Sequence, residues 1–191
     1  MAKPKKQEGV TQRTVRLSGL RPIMFDRYPG DNKTELMPEQ KMYFAEDGKT
    51  LVVPSANILS FLCAENTKSA VKLFSDSRSY KTLAQMYLSY VSIEEYELPL
   101  RRKGKPIVFA GFGQNGVSLD RRVARVKGGI PNPKARPVVA LPWELEFHLA
   151  LYENDVFDET ALRLMFERGG IASGLGTFRG VYGKFEVSLW K

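Results

Sequence analysis

A chain of 191 residues, 43% hydrophobic and 26% charged, is long enough and apolar enough to fold as one globular domain. Its single cysteine, Cys63, excludes an internal disulfide and a cysteine metal cluster, and its single histidine, His148, excludes a multi-histidine metal site. The net charge of +8 predicts a surface that attracts polyanions, and nucleic acid is the first such partner to consider.

The N-terminal segment, residues 1–12, is basic and polar. It contains Lys3, Lys5 and Lys6 without the apolar core of a signal peptide, so we expect a flexible basic arm. No run elsewhere is long and apolar enough to span a membrane. We therefore expect a cytoplasmic protein with a single domain over residues 13–191.

Residues 13–25 predict a first strand, because apolar and polar side chains alternate there. A long polar loop follows this strand. Two of its turn-forming residues are the aspartates Asp26 and Asp31.

A first helix is predicted after this loop, because apolar positions recur at helical spacing. Ser55 is its expected N-cap, and its expected end is near Phe74. Lys68 and Lys72 then fall on one face, which is either a solvated surface or a phosphate-contacting one.

The most basic part of the chain, residues 99–137, follows a second predicted strand that ends at Leu98. Asp120 is the only acidic residue between Arg101 and Arg136. A solvated hairpin normally mixes both signs because like charges repel, so this one-signed hairpin favours a polyanionic partner.

A long strand is predicted over residues 138–149, with one packed and one polar face. The helix after it is expected to have Asp158 as N-cap and to end at Arg168, with Gly169 in the C′ position. The residues expected on the packed face of the strand are Trp143, Leu145, Phe147 and Leu149.

A glycine-rich loop, beginning at Gly169, leads into the last predicted strand near Val181. Glycine allows the main chain to approach a ligand closely, and free amides together with Arg179 would suit phosphates. A long connection with a glycine cap and a β-bulge is the alternative explanation.

In this order the elements predict an α+β fold. The β-α-β-β-α-β order is that of an antiparallel ferredoxin-like or RRM-like sheet, here with residues 99–137 inserted as a basic β-hairpin.

This arrangement resembles the RAMP superfamily of CRISPR-associated proteins, especially the backbone subunits that coat guide RNA. A stand-alone or mobile-element relative of these subunits fits the resemblance equally well. The glycine-rich stretch at residues 174–180 is similar to the family's C-terminal loop, and residues 53–58 to the proline-serine entry of its first helix. The hairpin of residues 99–137 is similar to the family's projecting thumb. The resemblance implies a protein that holds single-stranded or guide RNA by its phosphates, with copies of itself or other effector subunits as partners. The expected RNA-binding residues are Ser55, Asn57, Lys68, Lys72, Arg101, Arg102, Arg121, Arg122, Arg125, Lys127, Lys134, Gly174, Gly176, Arg179 and Lys184.

Two other functions stay open. Some members of the family cleave target RNA with an aspartate in the loop after the first strand, so the resemblance offers Asp26 or Asp31 for a metal-dependent endoribonuclease. Both aspartates also lie where turns recruit this residue for local hydrogen bonds. The other alternative is a self-assembling or phage-encoded structural or inhibitory protein. We expect no cofactor unless the protein cleaves RNA, in which case Mg²⁺ is expected.

Overall fold

The computed structural model describes residues 9–31, 33–65, 68–125 and 131–191. Within these ranges, no helix is long and apolar enough to cross a membrane. A short 3₁₀ helix covers Pro38–Lys41. The other elements are, in chain order, β1 (Val10–Gly19), β2 (Ile23–Met24), β3 (Tyr43–Phe44), β4 (Leu51–Pro54), α1 (Ser55–Cys63), α2 (Ala70–Phe74), α3 (Tyr80–Tyr90), β5 (Val91–Ile93), β6 (Glu97–Pro99), β7 (Arg101–Arg102), β8 (Lys105–Pro106), β9 (Val117–Arg125), β10 (Pro131–Val139), β11 (Glu144–Tyr152), α4 (Glu159–Ala172) and β12 (Phe185–Trp190).

The central layer is an antiparallel sheet in which β12, β1, β11 and β5 lie side by side in that order. Val15 of β1 lies opposite Phe147 of β11, and both are buried. They belong to one apolar core with Phe61 of α1 and Phe166 of α4, whose ring centres are 5.8 Å apart. The predicted α+β class is therefore confirmed.

The opposite face of this sheet is polar. Glu144 and Glu186 flank Ser18 in one cross-strand row, and Arg16 forms a 2.6 Å ion pair with Glu146 in the next. Cross-strand neighbours share a face of the sheet, so in these rows carboxylates outnumber cations.

The first strand ends earlier than predicted, at Gly19. A side chain has no room there, because a Cβ would come within 2.4 Å of the Trp143 ring. The chain then leaves the central sheet, Leu20 is exposed, and β2 pairs with β10 in a second sheet. At its other end β1 includes residues 10–12, so the predicted arm is too long; residues 1–8 lie outside the described part of the chain.

The predicted first helix is divided into two helices. Ser55 is the first residue of α1 rather than its N-cap, a position that the preceding proline occupies. α1 ends at Cys63, and α2 begins after Ser69, whose hydroxyl oxygen accepts a hydrogen bond from the Lys72 amide. A serine that caps a new helix competes with continuation of the old one. Lys68 and Lys72 therefore do not share one helical face.

Two predicted strands are also divided. The one expected to end at Leu98 becomes β5 in the central sheet and β6, which pairs with β4. The one expected over residues 138–149 becomes β10 and β11, because Pro142 between them has no amide for a strand ladder. The packed face is as predicted, since Trp143 just before β11 and three residues within it are at most 1% exposed: Leu145, Phe147 and Leu149.

The last helix, α4, has the predicted Asp158 cap but runs past Gly169 to Ala172. Gly169 and Gly170 lie inside the helix, and residues packed against it leave no room for a side chain at either position. A Cβ on Gly169 would come within 2.7 Å of the Phe61 ring, and one on Gly170 within 2.5 Å of the Phe185 carbonyl oxygen. The predicted C′ role of Gly169 is therefore wrong.

Substitution of Gly170 by alanine tests this close packing. Alanine is the better helix former, yet we expect Gly170→Ala to lower the free energy of unfolding by about 1 to 3 kcal/mol, because the methyl group overlaps β12. Urea denaturation measures the change. The control Ile171→Ala, at a 58% exposed position of the same helix, should change it by less than about 0.5 kcal/mol. A more stable Gly170→Ala protein would contradict the packing argument.

Candidate nucleic-acid interface

The hairpin of β9 and β10 carries four of the basic residues predicted to bind RNA, namely Arg121, Arg122, Arg125 and Lys134. Its strands are antiparallel, with Asp120 opposite Arg136 and Arg122 opposite Lys134. Directly opposite residues point to the same face. We call the surface formed by these four side chains the inner face, because its contacts are with the body of the protein.

Arg122 joins the inner face to the glycine-rich loop. Its guanidinium donates hydrogen bonds of 2.6 and 2.5 Å to the two carboxylate oxygens of Asp120, and one of 3.0 Å to the Tyr182 hydroxyl. It also lies 5.5 Å from the centre of the Phe178 ring and 5.6 Å from that of Tyr182. Two segments that are distant in sequence therefore form one surface.

The other cations of the inner face pair with the loop after β2. Lys134 donates to Glu35 at 2.9 Å, and the buried Lys41 donates to the same carboxylate at 2.6 Å. Arg136 donates to Asp26 at 2.7 Å. All three cations of the inner face thus have carboxylate partners within the protein, and a phosphate would have to compete with them.

Arg121 points away from the inner face, because successive strand residues alternate. Arg121 and Val123 are both exposed. The side chain of Arg125 and all of Lys127 lie outside the described residues, so their predicted contacts stay predictions. A depression of about 350 Å³ on this hairpin is lined by Arg121, Arg122, Val123, Pro133, Lys134 and Ala135.

Arg102 stabilises the base of the β9–β10 hairpin by hydrogen bonds. Its guanidinium donates to the carbonyl oxygens of Asn115, Ala140 and Pro142 at 2.5, 2.8 and 3.0 Å. The planar guanidinium fork suits such a divergent set of acceptors. Arg101 donates to a carbonyl of its own turn at 3.1 Å. These contacts give both arginines a structural role.

The glycine-rich loop is closed by its own main chain. Gly176 requires both its positive φ of 76° and its missing side chain, since a Cβ would lie 2.3 Å from the Met24 carbonyl oxygen. Five amides donate to backbone carbonyls at 2.7 to 3.0 Å: those of Gly174, Leu175, Thr177, Gly180 and Gly183. The predicted row of free amides is therefore wrong for these five residues.

The two basic residues predicted for this loop differ in accessibility. Arg179 is partly buried, its Nε donates to the Gly176 carbonyl at 3.3 Å, and burial lowers the pKa of its guanidinium, which still stays charged. Lys184 is partly exposed, and its carbonyl oxygen accepts the Leu20 amide at 2.7 Å. The main chain of Lys184 thus anchors the loop to the end of β1.

The entry to α1 belongs to a different sheet from the hairpin. β4 pairs with β3 and β6, whereas β10 pairs with β9 and β2. The Ser55 amide donates to a carbonyl of the β5–β6 connection at 2.9 Å, and Asn57 is partly exposed. Lys68 is exposed, and Lys72 donates to a carbonyl just after α1 at 2.9 Å.

Both candidate catalytic aspartates have structural partners. Asp31 holds a turn by accepting the Thr34 amide at 2.6 Å and the Thr34 hydroxyl at 2.8 Å, and these hydrogen bonds lower the pKa of its carboxyl. Asp26 faces Arg136, with the Lys41 ammonium 3.9 Å away. A magnesium ion at either carboxylate would have to compete with these donors. The described residues also contain no group of three histidine, cysteine or acidic side chains placed to hold a metal.

Two aromatic residues of this surface, Phe178 and Tyr182, were not among the predicted site residues. They contact Arg122, and their ring centres are 5.9 Å apart. The signal in the sequence was the presence of two aromatic residues between closely spaced glycines. Their partner was not visible, because it lies in the hairpin.

No family model matches the sequence, and no curated protein matches it. Its structure is similar to a chain in the cryo-EM structure of the type III-B Cmr-beta complex bound to cognate target RNA. The TM-score is 0.61, with 14% sequence identity over 96% of this chain and 60% of that chain. At this identity the likeness shows a shared fold, and this chain spans about three fifths of the chain that it matches.

The structural role of Arg102 can be separated from a role in binding. We expect Arg102→Ala to lower the free energy of unfolding by about 2 to 4 kcal/mol, because three carbonyl oxygens lose a charged donor. Arg102→Lys should recover only part of the lost free energy of unfolding, since an ammonium lacks the planar, forked set of donors of a guanidinium. Urea denaturation gives both values. Arg121→Ala is the matched control in the same hairpin, and an equal loss in that variant would contradict the assignment.

The Asp120–Arg122 pair predicts a pH dependence of stability. Hydrogen bonds from Arg122 are the main reason that the pKa of Asp120 lies below its ordinary value. A carboxyl with a lowered folded-state pKa stabilises the protein fully above its unfolded pKa of about 3.9, and this contribution is lost as pH falls through the folded value. We expect stability to fall more steeply below about pH 4 in the wild type than in Asp120→Asn. Unfolding curves between about pH 7 and pH 2.5 test this, and parallel curves would argue against it.

Proposed function

We propose that this chain is an RNA-binding protein of the RAMP type, built on a ferredoxin-like sheet, that holds single-stranded RNA by its phosphate backbone. The observation that carries the proposal is the contact that Arg122 of the basic hairpin makes with the glycine-rich loop. The sequence singles out each segment on separate grounds, and the fold brings the two side by side.

The distribution of charge supports binding on this side of the molecule. The polar face of the central sheet, opposite the apolar core, carries glutamates such as Glu144 and Glu186, which repel phosphates. The hairpin has one acidic residue, Asp120, and Arg122 pairs with it. RNA would therefore follow the exposed side of the hairpin, past Arg121, towards the glycine-rich loop. Such binding is mainly electrostatic and weakens steeply with salt.

The structural neighbour supports the proposed partners by analogy. That chain belongs to a complex described as bound to cognate target RNA. We propose by analogy that this chain acts in a CRISPR-type antiviral ribonucleoprotein, together with copies of itself or with other subunits.

RNA binding can be tested directly. The full chain, purified without nuclease, should carry RNA, and it should bind single-stranded RNA with an affinity that falls as salt rises. Arg121→Ala should weaken binding several-fold and reduce the slope of log affinity against log salt by about 1, as expected for one lost phosphate contact. Arg163→Ala removes the same charge from α4, where Arg163 pairs with Glu167 at 2.8 Å, and should leave binding unchanged.

Clean protein that fails to shift single-stranded RNA at low salt would overturn the proposal. Concentration-dependent oligomers of that nucleic-acid-free protein in high salt would instead support the self-assembling alternative. The basic hairpin would then be assigned to contacts with a protein partner.

A further inference from the structure

Phe178 has an unusual conformation for a large apolar residue. Its φ is +54°, in the left-handed region that bulky residues rarely occupy, and its side chain is 45% exposed. Neither property is expected of an aromatic residue whose only role is to fill the core. Strained backbone of this kind persists where the surrounding structure enforces it, and it is concentrated at functional sites.

The surrounding structure does enforce this conformation. The Phe178 carbonyl oxygen accepts the amides of Val181 and Tyr182 at 3.3 and 3.2 Å, which closes a turn around the residue. Thr177, immediately before it, is tied to Met24 by a 2.9 Å hydrogen bond. The main chain that carries the exposed ring is therefore fixed on both sides of Phe178.

The neighbours of the ring suit a nucleotide. Arg122 lies 5.5 Å from the ring centre and is itself held by Asp120 and Tyr182. Arg122 also lines the depression on the hairpin that Arg121 and Lys134 border. The ring and the basic depression are thus adjacent, so a base on the ring would place its phosphates near cations.

Tyr96 provides the contrast. It is 89% exposed, but its neighbours in the chain are Glu94, Glu95 and Glu97. These carboxylates would repel the phosphates of a nucleotide stacked on that ring. Exposure of an aromatic side chain is therefore not sufficient, and what distinguishes Phe178 is the adjacent depression bordered by the exposed Arg121.

From this geometry we infer that Phe178 is a stacking platform for one unpaired base of a bound single strand. This inference rests on the proposed RNA-binding function and deepens it, since it assigns a contact to a base rather than to phosphates. Stacking on an aromatic ring tolerates any base, because every base has a π-face. The platform would therefore fix the position of a base without reading its identity.

The test compares RNA with and without bases. The probes are an oligouridylate of about twelve nucleotides and an abasic RNA of the same length. The wild-type protein should prefer the base-bearing strand by about 5- to 100-fold. Phe178→Ala should lose this preference and keep its affinity for the abasic strand, whereas Phe178→Trp should retain the preference. Tyr96→Ala is the matched control and should behave as the wild type, and thermal unfolding verifies that each variant is folded.

The outcomes separate the two proposals. Wild-type protein that binds neither strand overturns RNA binding and this inference together. If the wild type binds RNA and Phe178→Ala keeps the preference for bases, or weakens both strands equally, only the stacking role is wrong. Loss of oligomers in Phe178→Ala, with base preference intact, would assign the ring to a protein contact instead.

Discussion

The candidate interface depends on a short junction, residues 19–25, where the chain leaves the central sheet. The Gly183 amide donates to the carbonyl oxygen of Pro22 at 2.7 Å, and the Thr177 amide reaches the same segment at 2.9 Å. The indole of Trp143 donates to it from the other side at 2.8 Å, and β2, within the junction, pairs with β10 of the hairpin. One segment thus fixes the sheet, the glycine-rich loop and the hairpin relative to one another, mainly by main-chain hydrogen bonds, which tolerate sequence change.

The basic residues of the hairpin fall into two physical groups. One group has intramolecular partners: Arg102 binds three carbonyl oxygens, and the inner face pairs with Asp120, Glu35 and Asp26. These cations order the hairpin against the body, and their charge is largely compensated. The other group, represented by Arg121, is exposed, and in the proposed complex it contacts RNA. The total of 29 lysines and arginines therefore overstates the number of cations that can face a partner.

The glycines also have two different roles. Gly169 and Gly170 allow α4 to approach Phe61 and β12, which is a packing requirement inside a helix. Gly176 allows a loop to pass against the Met24 carbonyl with a positive φ. In neither case is the missing side chain evidence for a ligand. Within the loop, the exposed, strained Phe178 is therefore the residue that points most directly to one.

Much of the fold could be predicted from the sequence, because the patterns concerned are local. Alternation along β11 identified its buried face, and Asp158 identified the start of α4. The one-signed charge of residues 99–137 identified this range as the one to consider for a polyanion, and the structure divides it between the β7–β8 pair and the hairpin of β9 and β10. Each of these properties depends on residues within a few positions of one another, so a single chain is enough to reveal them.

Only the tertiary structure decided where the elements end and which polar groups have partners. The Trp143 ring leaves no room for a side chain at Gly19, where β1 ends, and Phe185 of β12 leaves none at Gly170, through which α4 continues. One of the two aspartates that the resemblance offered for catalysis, Asp26, faces an arginine more than a hundred positions away. Such contacts depend on distances between segments remote in the chain, and no periodicity or local composition records them.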